Sequence, residues 1–497
     1  MSSASHWRWS LAPSSSQTKA GALGDWLLIA CPRVLHGCLA SLTDIWLARL
    51  TRRVLGERCV PIALFLSLTC LFHALALSRS LSNSLETSLT TIAFTHYPWD
   101  ATTLSSPNVY FQRSRLRIMF IFVALACMIR PTNAIIWIYL TAKLLLILLP
   151  YKHLVKSLIR DAAITGACAF ATLTLFDSVY YGKVTCTPLN FVITNLSSVS
   201  LFYGLSSWHY YLSQGLPVLC TTSLPFVLHG MWTSVKSKKA IALRTMTEAV
   251  FWTIGIYSLA GHKEWRFIHP LLPLLHVLAT KSLDDLTTSS ASAKRQRKTK
   301  LIPQRYLVWL MLTCPLSLYV VLFYCSAPIS AISFLRSLPL HTLKNTTVGV
   351  LMPCHSIPGQ AYLHREELAY GRLWALGCEP PLHGQDLAHY RDQTDVFYGS
   401  PISYLQIYFP PTVNVSFPLS PYPATAPGRL AKLTPDGQYP WRHEWPTYLI
   451  FFGCLLEEEG VERLFIEQGY TEVWRRGRHW EGDDKRKGGV RIWKWSR

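Results

Sequence analysis

Charged side chains are scarce in this chain. Only 15% of its 497 residues are Asp, Glu, Lys or Arg, while 50% are hydrophobic; soluble domains carry roughly 25% charged residues. Acidic residues are the scarcer sign, 28 against 48 basic ones. The composition excludes an ordinary soluble domain and predicts a polytopic helical membrane protein. The 18 Trp, 23 Tyr and 21 Phe favour this interpretation, because amphipathic rings collect at membrane interfaces.

Metal-binding and secretory motifs are also lacking. The sequence has no CxxC and no HExxH, so it predicts no metal site. Most of the 13 cysteines fall in apolar runs, where cysteine behaves as a small hydrophobic residue. Cys354 and Cys378 are predicted to pair if their region is extracytosolic. Residues 1–23 are Ser-rich without an apolar core, so we do not expect them to act as a signal peptide.

The formal net charge of +20 does not indicate a nucleic-acid partner. The basic residues are spread through short loops between apolar runs, which is the positive-inside pattern of membrane proteins. One dense basic cluster, residues 294–300, lies in a linker rich in Ser, Thr and Ala. We interpret it as a cytosolic loop and predict no nucleic acid among the partners.

Hydropathy predicts about ten spans, several shorter than the ~20 residues that cross a bilayer. They are 27–48, 60–77, 84–97, 118–129, 133–149, 161–176, 215–231, 245–260, 267–282 and 306–327. Every second loop is basic, and basic loops stay in the cytosol. The basic loops are 49–58, 113–117, 152–160, 236–239 and 294–300. The intervening loops and the tail after Leu338 are therefore predicted to be non-cytosolic.

Three N-x-S/T sequons agree with this topology. They begin at Asn195, Asn345 and Asn414, and all three fall in segments assigned to the non-cytosolic side. Because chance sequons are common, they support the topology without establishing it. The three asparagines are candidate glycosylation sites.

The same topology divides the chain into three parts. Residues 1–26 would lie on the non-cytosolic side with no helix before them, so we expect an atypical, truncated N-terminal segment or a reoriented first span. Residues 27–338 are predicted to form the multispanning membrane domain. Residues 339–497 are predicted to form a small α/β domain, with strands at 347–352 and 448–452 and helical spacing over 455–468.

The segment 261–270, which reads GHKEWRFIHP, carries the sharpest functional signal. It lies between two apolar runs, and ionisable residues at a membrane edge usually mark a functional site. His262, Lys263 and Arg266 give three potential cations beside the carboxylate of Glu264. Snorkelling to lipid headgroups would require neither the carboxylate nor the histidine. Such a cationic cluster fits a lipid-linked phosphate or diphosphate, which Arg binds bidentately and Lys binds as a point charge.

Other polar residues fall in the same set of loops. They are Arg79, Asn83, Glu86, Arg130, Asp177, His209 and Gln214. Each also has a structural interpretation: Arg79 and Arg130 as snorkelling cations, Asn83 with Glu86 as a helix start, and His209 as part of an interfacial aromatic belt. These alternatives stay open from the residues alone.

These segments resemble a known family. Residues 261–270 are similar to the HKExRF-x-x-P signature of the dolichol-phosphate-mannose-dependent mannosyltransferases, glycosyltransferase family 22. Further similar segments are 79–87, 130–132, 177–191, 208–217 and 351–356. Together they are most similar to the branch that adds the third mannose of GPI anchors.

The resemblance implies a mainly α fold, a polytopic transmembrane helical bundle of the GT-C type with a small C-terminal lumenal α/β domain. It implies an endoplasmic reticulum membrane enzyme with a lumenal active site. The expected reaction transfers the third mannose, α1,2-linked, from dolichyl-phosphate mannose to a GPI precursor glycolipid, with inversion and without a cofactor. Lipids of that membrane are the remaining expected partners.

The resemblance also implies residue roles. His262, Lys263 and Arg266 are expected to hold the donor phosphate. Residues expected to line the cleft are Asn83, Arg130, Asp177, His209 and Gln214. The family carries an Asp-Glu pair in its first lumenal loop, and nothing in residues 1–25 matches it. Glu264 and Glu86 are therefore the remaining candidates for the catalytic base.

Alternative functions follow from the same observations. A sister enzyme would add the fourth GPI mannose or an N-glycan mannose, and the unmatched acidic motif would also fit an inactive truncated paralogue. A transporter or scramblase would predict inverted repeats, which the sequence does not display.

Overall fold

The computed structural model describes residues 19–99, 112–237, 239–292, 301–381, 389–422 and 440–496. The fold is mainly α-helical, as predicted. The basic cluster at 294–300, Lys238 and residues 1–18 of the predicted N-terminal segment lie outside the described residues.

Within these ranges, fifteen α-helices lie before residue 338. They are α1 Lys19–Leu55, α2 Val60–Leu68, α3 Leu71–Ala76, α4 Ser82–His96, α5 Arg113–Ile129, α6 Ala134–Leu148, α7 Lys152–Tyr181, α8 Thr187–Leu196, α9 Leu216–Cys220, α10 Leu224–Lys236, α11 Ile241–Ser258, α12 Leu272–Ser292, α13 Gln304–Met311, α14 Cys314–Leu322 and α15 Ala327–Ser337. A 3-10 segment, Trp265–Leu271, leads into α12. Several predicted spans are therefore broken: 60–77 forms α2 and α3, and 306–327 forms α13 and α14.

Local sequence explains two of the helix ends that matter for the site. Helix α5 ends at Ile129 because Arg130 precedes a proline, and a residue before proline is biased away from helical backbone. Helix α7 ends at Gly182, whose φ of 65° is the left-handed conformation that glycine adopts without strain.

Four helical stretches among the described residues are long and apolar enough to cross a membrane. They are Trp26–Leu55, Pro131–Leu148, Lys152–Tyr181 and Gln304–Ser337. Their apolar side chains face outward; Phe176 in α7 is 67% exposed and Leu322 in α14 is 60% exposed. Exposed apolar surface of this extent is characteristic of a lipid-facing bundle.

The two ends of the bundle carry different groups. At one end, the Arg53 guanidinium donates to the carbonyls of Thr95 and Tyr97, each at 2.8 Å. At the same end of α5, Asp161 accepts from Arg113 at 2.8 Å. Glu86 and Arg130 lie toward the opposite ends of α4 and α5. The basic loops 49–58 and 113–117 and the segment near Asp161 thus lie at the end away from the predicted site.

Helices α10 and α12 approach unusually closely. A Cβ atom built on Gly230 of α10 would lie 2.1 Å from the carbonyl oxygen of Leu278 in α12. Small residues at helix interfaces permit such contacts in membrane proteins. The contact fixes α12, the helix that follows the predicted donor-binding segment.

A five-stranded sheet organises the C-terminal domain. Its strands are β1 Val348–Leu351, β2 Leu373–Ala375, β3 Tyr448–Phe452, β4 Tyr470–Arg476 and β5 Val490–Trp495, in the order β2-β1-β3-β5-β4. Strands β2, β1 and β3 pair in parallel, whereas β5 pairs antiparallel with β3 and β4. The predicted strands β1 and β3 are confirmed. Both are buried along their whole length, as is typical of central strands covered on both faces.

Short helices and an apolar layer cover each face of this sheet. The helices are α16 Leu340–Leu343, α17 Gln360–Leu363, α18 Gln393–Gly399, α19 Pro401–Tyr408 and α20 Val461–Glu467. Phe397, Leu405 and Phe465 pack on one face, and Ala331 and Leu335 of α15 pack on the other. The division at 338 and 339 stays a prediction, because the core of the sheet also includes this preceding helix.

The predicted cysteine pair is confirmed. Cys354 and Cys378 form a disulfide with a Cα–Cα distance of 5.9 Å. The bond ties the segment after β1 to the segment after β2, so it fixes the loop that begins at His355. Disulfides persist in oxidising compartments, in agreement with an extracytosolic C-terminal domain.

Candidate functional site

A buried carboxylate organises the first polar cluster. The Glu86 side chain is 1% exposed and accepts a hydrogen bond from Asn133 at 2.8 Å and one from Asn83 at 3.3 Å. Arg130 forms an ion pair with the same carboxylate, and its Nε atom lies 3.3 Å from Glu86 Oε2. A buried charge is stable only when it is paired and hydrogen-bonded, and these three partners meet that requirement.

Sequence reasoning missed Asn133. This asparagine is 2% exposed; besides binding Glu86, it donates to Thr90 Oγ1 at 2.9 Å and accepts from Trp137 Nε1 at 3.0 Å. Its position was readable as a polar residue opening an apolar run directly after a non-cytosolic loop. The bonds it makes depend on tertiary contacts between α4 and the turn before α6.

A second carboxylate organises the predicted donor-binding segment. Glu264 Oε1 accepts from Arg266 Nη2 at 2.8 Å and lies 3.2 Å from His262 Nε2. The Arg266 Nε atom lies 2.5 Å from Glu264 Oε2. Burial works to raise the pKa of Glu264, but the hydrogen bonds from Arg266 and His262 outweigh it and hold the pKa below its ordinary value. The carboxylate is therefore ionised at neutral pH, and it is 30% exposed.

Lys263 faces differently from its neighbours. It is 5% exposed, and its ammonium group donates to the carbonyl of Ser206 at 2.9 Å. The Ser206 N–H in turn donates to the carbonyl of Gly261 at 3.0 Å. Lys263 thus holds the loop at Ser206 against the segment 261–270. The predicted contact of Lys263 with a donor phosphate stays a prediction.

The two clusters meet at one aromatic ring. The Arg130 guanidinium lies 5.0 Å from the centre of the Phe267 ring, and the His262 ring lies 6.0 Å from the same ring. Residues from three loops that are predicted to be non-cytosolic, 78–83, 130–132 and 262–266, are therefore brought to one end of the bundle, as their predicted topology requires.

The remaining predicted cleft residues lie at the rim. Asp177 is partly buried near the end of α7, while His209 and Gln214 are exposed. The His209 Nδ1 atom lies 3.0 Å from Ser213 Oγ. Within the described part of the chain, Asp177, His209 and Gln214 form no hydrogen bond or ion pair with Glu86 or Glu264, so their roles stay predictions.

Two tyrosines next to His209 were not predicted. Their rings pack together with centroids 5.5 Å apart, and the Tyr211 ring lies 6.1 Å from that of Tyr257. Tyr211 is 1% exposed. A Cβ atom built on Gly215 would lie 3.1 Å from Ile268 Cδ1, so the segment from Tyr210 to Gly215 packs beside the 3-10 segment that carries Arg266.

An apolar cleft of about 560 Å³ opens beside the site between α5, α6 and α7. Its wall includes Cys127 and Pro131, which flank Arg130, and Trp137, which binds Asn133. Arg130 itself does not line the cleft but lies next to it in the chain, and the cleft continues along α5, α6 and α7. Its apolar lining suits a hydrocarbon chain.

Within the described residues, one group has metal-ligand spacing: Cys354, His355 and Cys378. The disulfide occupies both sulfur atoms, so this group offers only the imidazole as a ligand. The prediction that the protein uses no cofactor stays a prediction. The three sequon asparagines, Asn195, Asn345 and Asn414, are all exposed.

The sequence of the chain is similar to those of known proteins. Residues 7–364 match the Alg9-like mannosyltransferase family. The chain is similar to GPI mannosyltransferase 3 of Aspergillus fumigatus, with 31% identity over 94% of this chain and 66% of the relative. It thus spans just under two thirds of that protein. GPI mannosyltransferase 3 of Debaryomyces hansenii is 30% identical over 94% of this chain and 78% of the relative. The corresponding protein of Saccharomyces cerevisiae is 28% identical, covering 94% of this chain and 76% of the relative.

Among solved structures, the fold is similar to ArnT from Cupriavidus metallidurans bound to undecaprenyl phosphate. The TM-score is 0.52 at 11% identity, covering 93% of this chain and 83% of that one. This likeness concerns the fold, and it confirms the predicted membrane-protein fold of the GT-C type.

Proposed function

The chain belongs to the Alg9-like mannosyltransferase family, and on that premise we propose that it transfers mannose from dolichyl-phosphate mannose to a GPI precursor glycolipid. The product carries the third mannose in α1,2 linkage. The names of the relatives, GPI mannosyltransferase 3, support this acceptor.

One observation carries the proposal: Glu264 lies between His262 and Arg266, at 3.2 Å and 2.8 Å, at the predicted non-cytosolic end of the bundle. Phosphate oxygens and carboxylate oxygens present the same paired geometry to a guanidinium. The Arg266 guanidinium, which binds Glu264 in this structure, is therefore able to bind the donor phosphate in the same way. On binding, the phosphate replaces part of the contact between Arg266 and Glu264.

The lipid part of the donor also has a complementary site. The apolar cleft between α5, α6 and α7 starts beside Arg130, so a phosphate near Arg130 and Arg266 would direct its isoprenoid chain into that cleft. Burial of the chain supplies affinity in proportion to the apolar area removed from water.

In the chemical step, an acceptor hydroxyl oxygen bonds to the anomeric carbon while the bond from that carbon to the phosphate oxygen breaks. The hydroxyl proton passes to a carboxylate, and dolichyl phosphate leaves with the negative charge. His262 and Arg266 stabilise that growing charge. Attack from the face opposite the leaving group inverts the anomeric centre.

The two candidate bases differ in access. A base must reach within hydrogen-bond distance of the hydroxyl. Glu264 is 30% exposed at the site, whereas Glu86 is 1% exposed and is held by Asn133, Asn83 and Arg130. We assign proton removal to Glu264 and the positioning of Arg130 to Glu86. Lys263 keeps the segment in place through Ser206.

The proposal locates the enzyme in the endoplasmic reticulum membrane with its site facing the lumen. The predicted opposite ends of the bundle and the disulfide of the C-terminal domain support this orientation. The partners are the donor lipid, the GPI precursor and the surrounding membrane lipids. No cofactor participates in the steps above.

The direct test is transfer by purified full-length protein in detergent, with radiolabelled dolichyl-phosphate mannose as donor. We expect mannose on a GPI intermediate that carries two mannoses. Transfer only to a GPI intermediate with three mannoses, or only to an N-glycan precursor, would replace the proposal by a sister activity. Absence of transfer to every acceptor would identify an inactive paralogue.

A further inference from the structure

We propose that a cleft between the membrane domain and the sheet domain binds the phosphodiester group of the acceptor glycolipid. The cleft has a volume of about 430 Å³ and lies apart from Glu264. This proposal rests on the proposed function and adds a second anchoring point for the acceptor.

Two loops whose side chains do not contribute to the catalytic cluster meet in this cleft. Its lining includes Arg79, from the loop that leads into α4, and His355 and Ser356, from the loop after β1. Both loops belong to segments that resemble the family, 79–87 and 351–356. The loop at Arg79 continues directly into the helix that carries Asn83 and Glu86, so the cleft and the catalytic cluster share one structural element.

The cleft is cationic. Arg79 and Arg486 line it together with His355, against the single lining carboxylate of Glu481. Arg486 also forms an ion pair at 3.3 Å with Asp483, whose side chain is 83% exposed and does not line the cleft. Glu481 is 6% exposed, and its Oε1 atom is bound by Tyr319 at 3.2 Å and by Arg478 at 3.3 Å. Its charge is thus matched outside the cleft. Among the described residues, the exposed guanidinium of Arg79 forms no hydrogen bond or ion pair with another side chain.

A helix end adds to this field. Helix α15, eleven residues long, begins at Ala327 in the wall of the cleft, followed by Pro328 and Ile329. The N-terminus of a helix carries a partial positive charge that favours anions. Because the helix end coincides with two arginines, the whole region selects a group of negative charge.

The loop at His355 is held in place for this role. The Cys354–Cys378 disulfide fixes it at one end, and Arg486 Nε lies 3.4 Å from Ser356 Oγ. His355 has φ +62°, a conformation that a non-glycine residue keeps only where its surroundings impose it. The lining of the cleft is therefore preorganised instead of being assembled by the ligand.

The apolar part of the lining identifies the ligand as a lipid phosphate. Ile329, Ile357 and Phe452 face the same cleft as the cations. A phosphodiester that joins a sugar to a lipid anchor has this combination of charge and apolar surface. The acceptor glycolipid carries such a group; phospholipids of the bilayer carry one as well, and the test must separate these sources.

The test compares acceptors with and without the phosphodiester. One acceptor is a dimannosyl GPI intermediate with its phosphatidylinositol intact; the other carries the same glycan on a plain alkyl chain. For the double variant Arg79→Gln and Arg486→Gln we expect the KM for the first acceptor to rise by about tenfold or more, the scale of losing a charge-assisted hydrogen bond. The KM for the second acceptor and for the donor should not change.

A matched control removes two charges elsewhere in the sheet domain. Arg463→Gln with Arg475→Gln alters side chains that are 84% and 74% exposed and do not line the cleft, and it should leave both acceptors unaffected. Equal losses for both acceptors, or a higher donor KM, would overturn the proposal. The assay is then repeated with protein in phospholipid vesicles. A loss that disappears when anionic phospholipids are left out of these vesicles would assign the cleft to bulk lipid and would overturn the proposal too.

Failure of the proposed function gives a different result. Wild-type protein would then transfer mannose to neither acceptor. In that case, binding of radiolabelled short-chain phosphatidylinositol is measured directly: binding by the wild type and its loss in the double variant would support the cleft, and equal binding would overturn it.

Discussion

The Arg130 guanidinium lies 5.0 Å from the centre of the Phe267 ring, and through this contact the Glu86 cluster touches the segment that carries Glu264. Arg130 follows α5, whereas Phe267 leads into α12. The relation means that the arginine is oriented by two partners at once, a buried carboxylate and an aromatic face.

Replacement of Phe267 should therefore reduce activity without unfolding the protein. Cation–π contacts contribute roughly 0.5 to 2 kcal/mol, so Phe267→Leu should lower kcat/KM by about two- to thirtyfold. Phe267→Tyr keeps the ring and serves as the control. Equal activities of the two variants in the mannose-transfer assay would show that the ring has no electrostatic role.

Arg266→Ala should lower the kcat of mannose transfer by about a hundredfold or more, because a preorganised cation stabilises the charge on the leaving phosphate. Arg266→Lys should retain part of the activity, since Lys binds as a point charge without the fork. Arg244→Ala removes a guanidinium that pairs with Glu248 near the start of α11, at the opposite end of that helix from the site, and this variant should transfer mannose normally. Near-normal kcat in Arg266→Ala would remove this residue from the phosphate site.

The two carboxylates should respond differently to amide substitution. Glu264→Gln should lower kcat by about a hundredfold or more if this group takes the proton. Glu86→Gln should cost less in kcat and should lower the thermal midpoint, because it breaks a buried ion pair with Arg130. A reversed order of the two kcat values would transfer the base to Glu86.

The disulfide should stabilise the sheet domain. Cys354 and Cys378 are 24 residues apart, and closing a loop of that length contributes about 3 kcal/mol by chain entropy. Cys354→Ser with Cys378→Ser should lower the thermal midpoint and also raise the KM for the acceptor, because the His355 loop is released. Cys454→Ser removes a free cysteine of the same domain and should affect acceptor KM little. An unchanged acceptor KM in the double variant would separate the disulfide from the cleft.

Stability should depend on pH through His443 of the sheet domain. Burial lowers the pKa of His443 to about 3, and its ring lies between Trp374 and Phe409, with centroid distances of 4.4 and 4.6 Å. The unfolded chain takes up a proton near pH 6.5 while the folded chain does not. Stability is thus lost as pH falls from about 6.5 towards 3, by about 1.4 kcal/mol per pH unit.

The comparison that isolates this effect uses His443→Gln. Thermal midpoints of wild type and variant are measured between pH 7 and pH 4.5. The wild type should lose stability more steeply than the variant over this range. Parallel curves would mean that His443 titrates normally in the folded protein.

Much of this architecture was predictable from local pattern. Strands β1 and β3 follow apolar β-branched and aromatic runs. The pairing of Cys354 with Cys378 was predicted only on the condition that their region is extracytosolic, because Cys59, Cys186 and Cys454 also lie outside the apolar spans. Strand β4 was missed because its residues are mostly exposed, so hydrophobic pattern does not mark it. Breaks within spans, such as that between α2 and α3, were also invisible to averaged hydropathy.

The candidate site was predictable as a set of residues but not as an arrangement. The cluster of His262, Glu264 and Arg266 follows from its charge at a membrane edge. Asn133 was missed because its bonds to Glu86 and Thr90 join segments more than forty residues apart. The direction of Lys263 towards Ser206 is likewise set by tertiary contact, since adjacent residues outside regular structure need not face the same side.

The close approach of Gly230 to Leu278 has a mechanical consequence. With no room for even a methyl group between them, α10 and α12 can neither slide nor rotate past each other and must move as one rigid body. Arg266 and Phe267 enter α12 through a single 3-10 segment, so they share its immobility. Adjustment to an arriving substrate therefore falls to the other side of the site, the loop from Leu259 to Lys263 and the segment at Ser206 to which it is fastened.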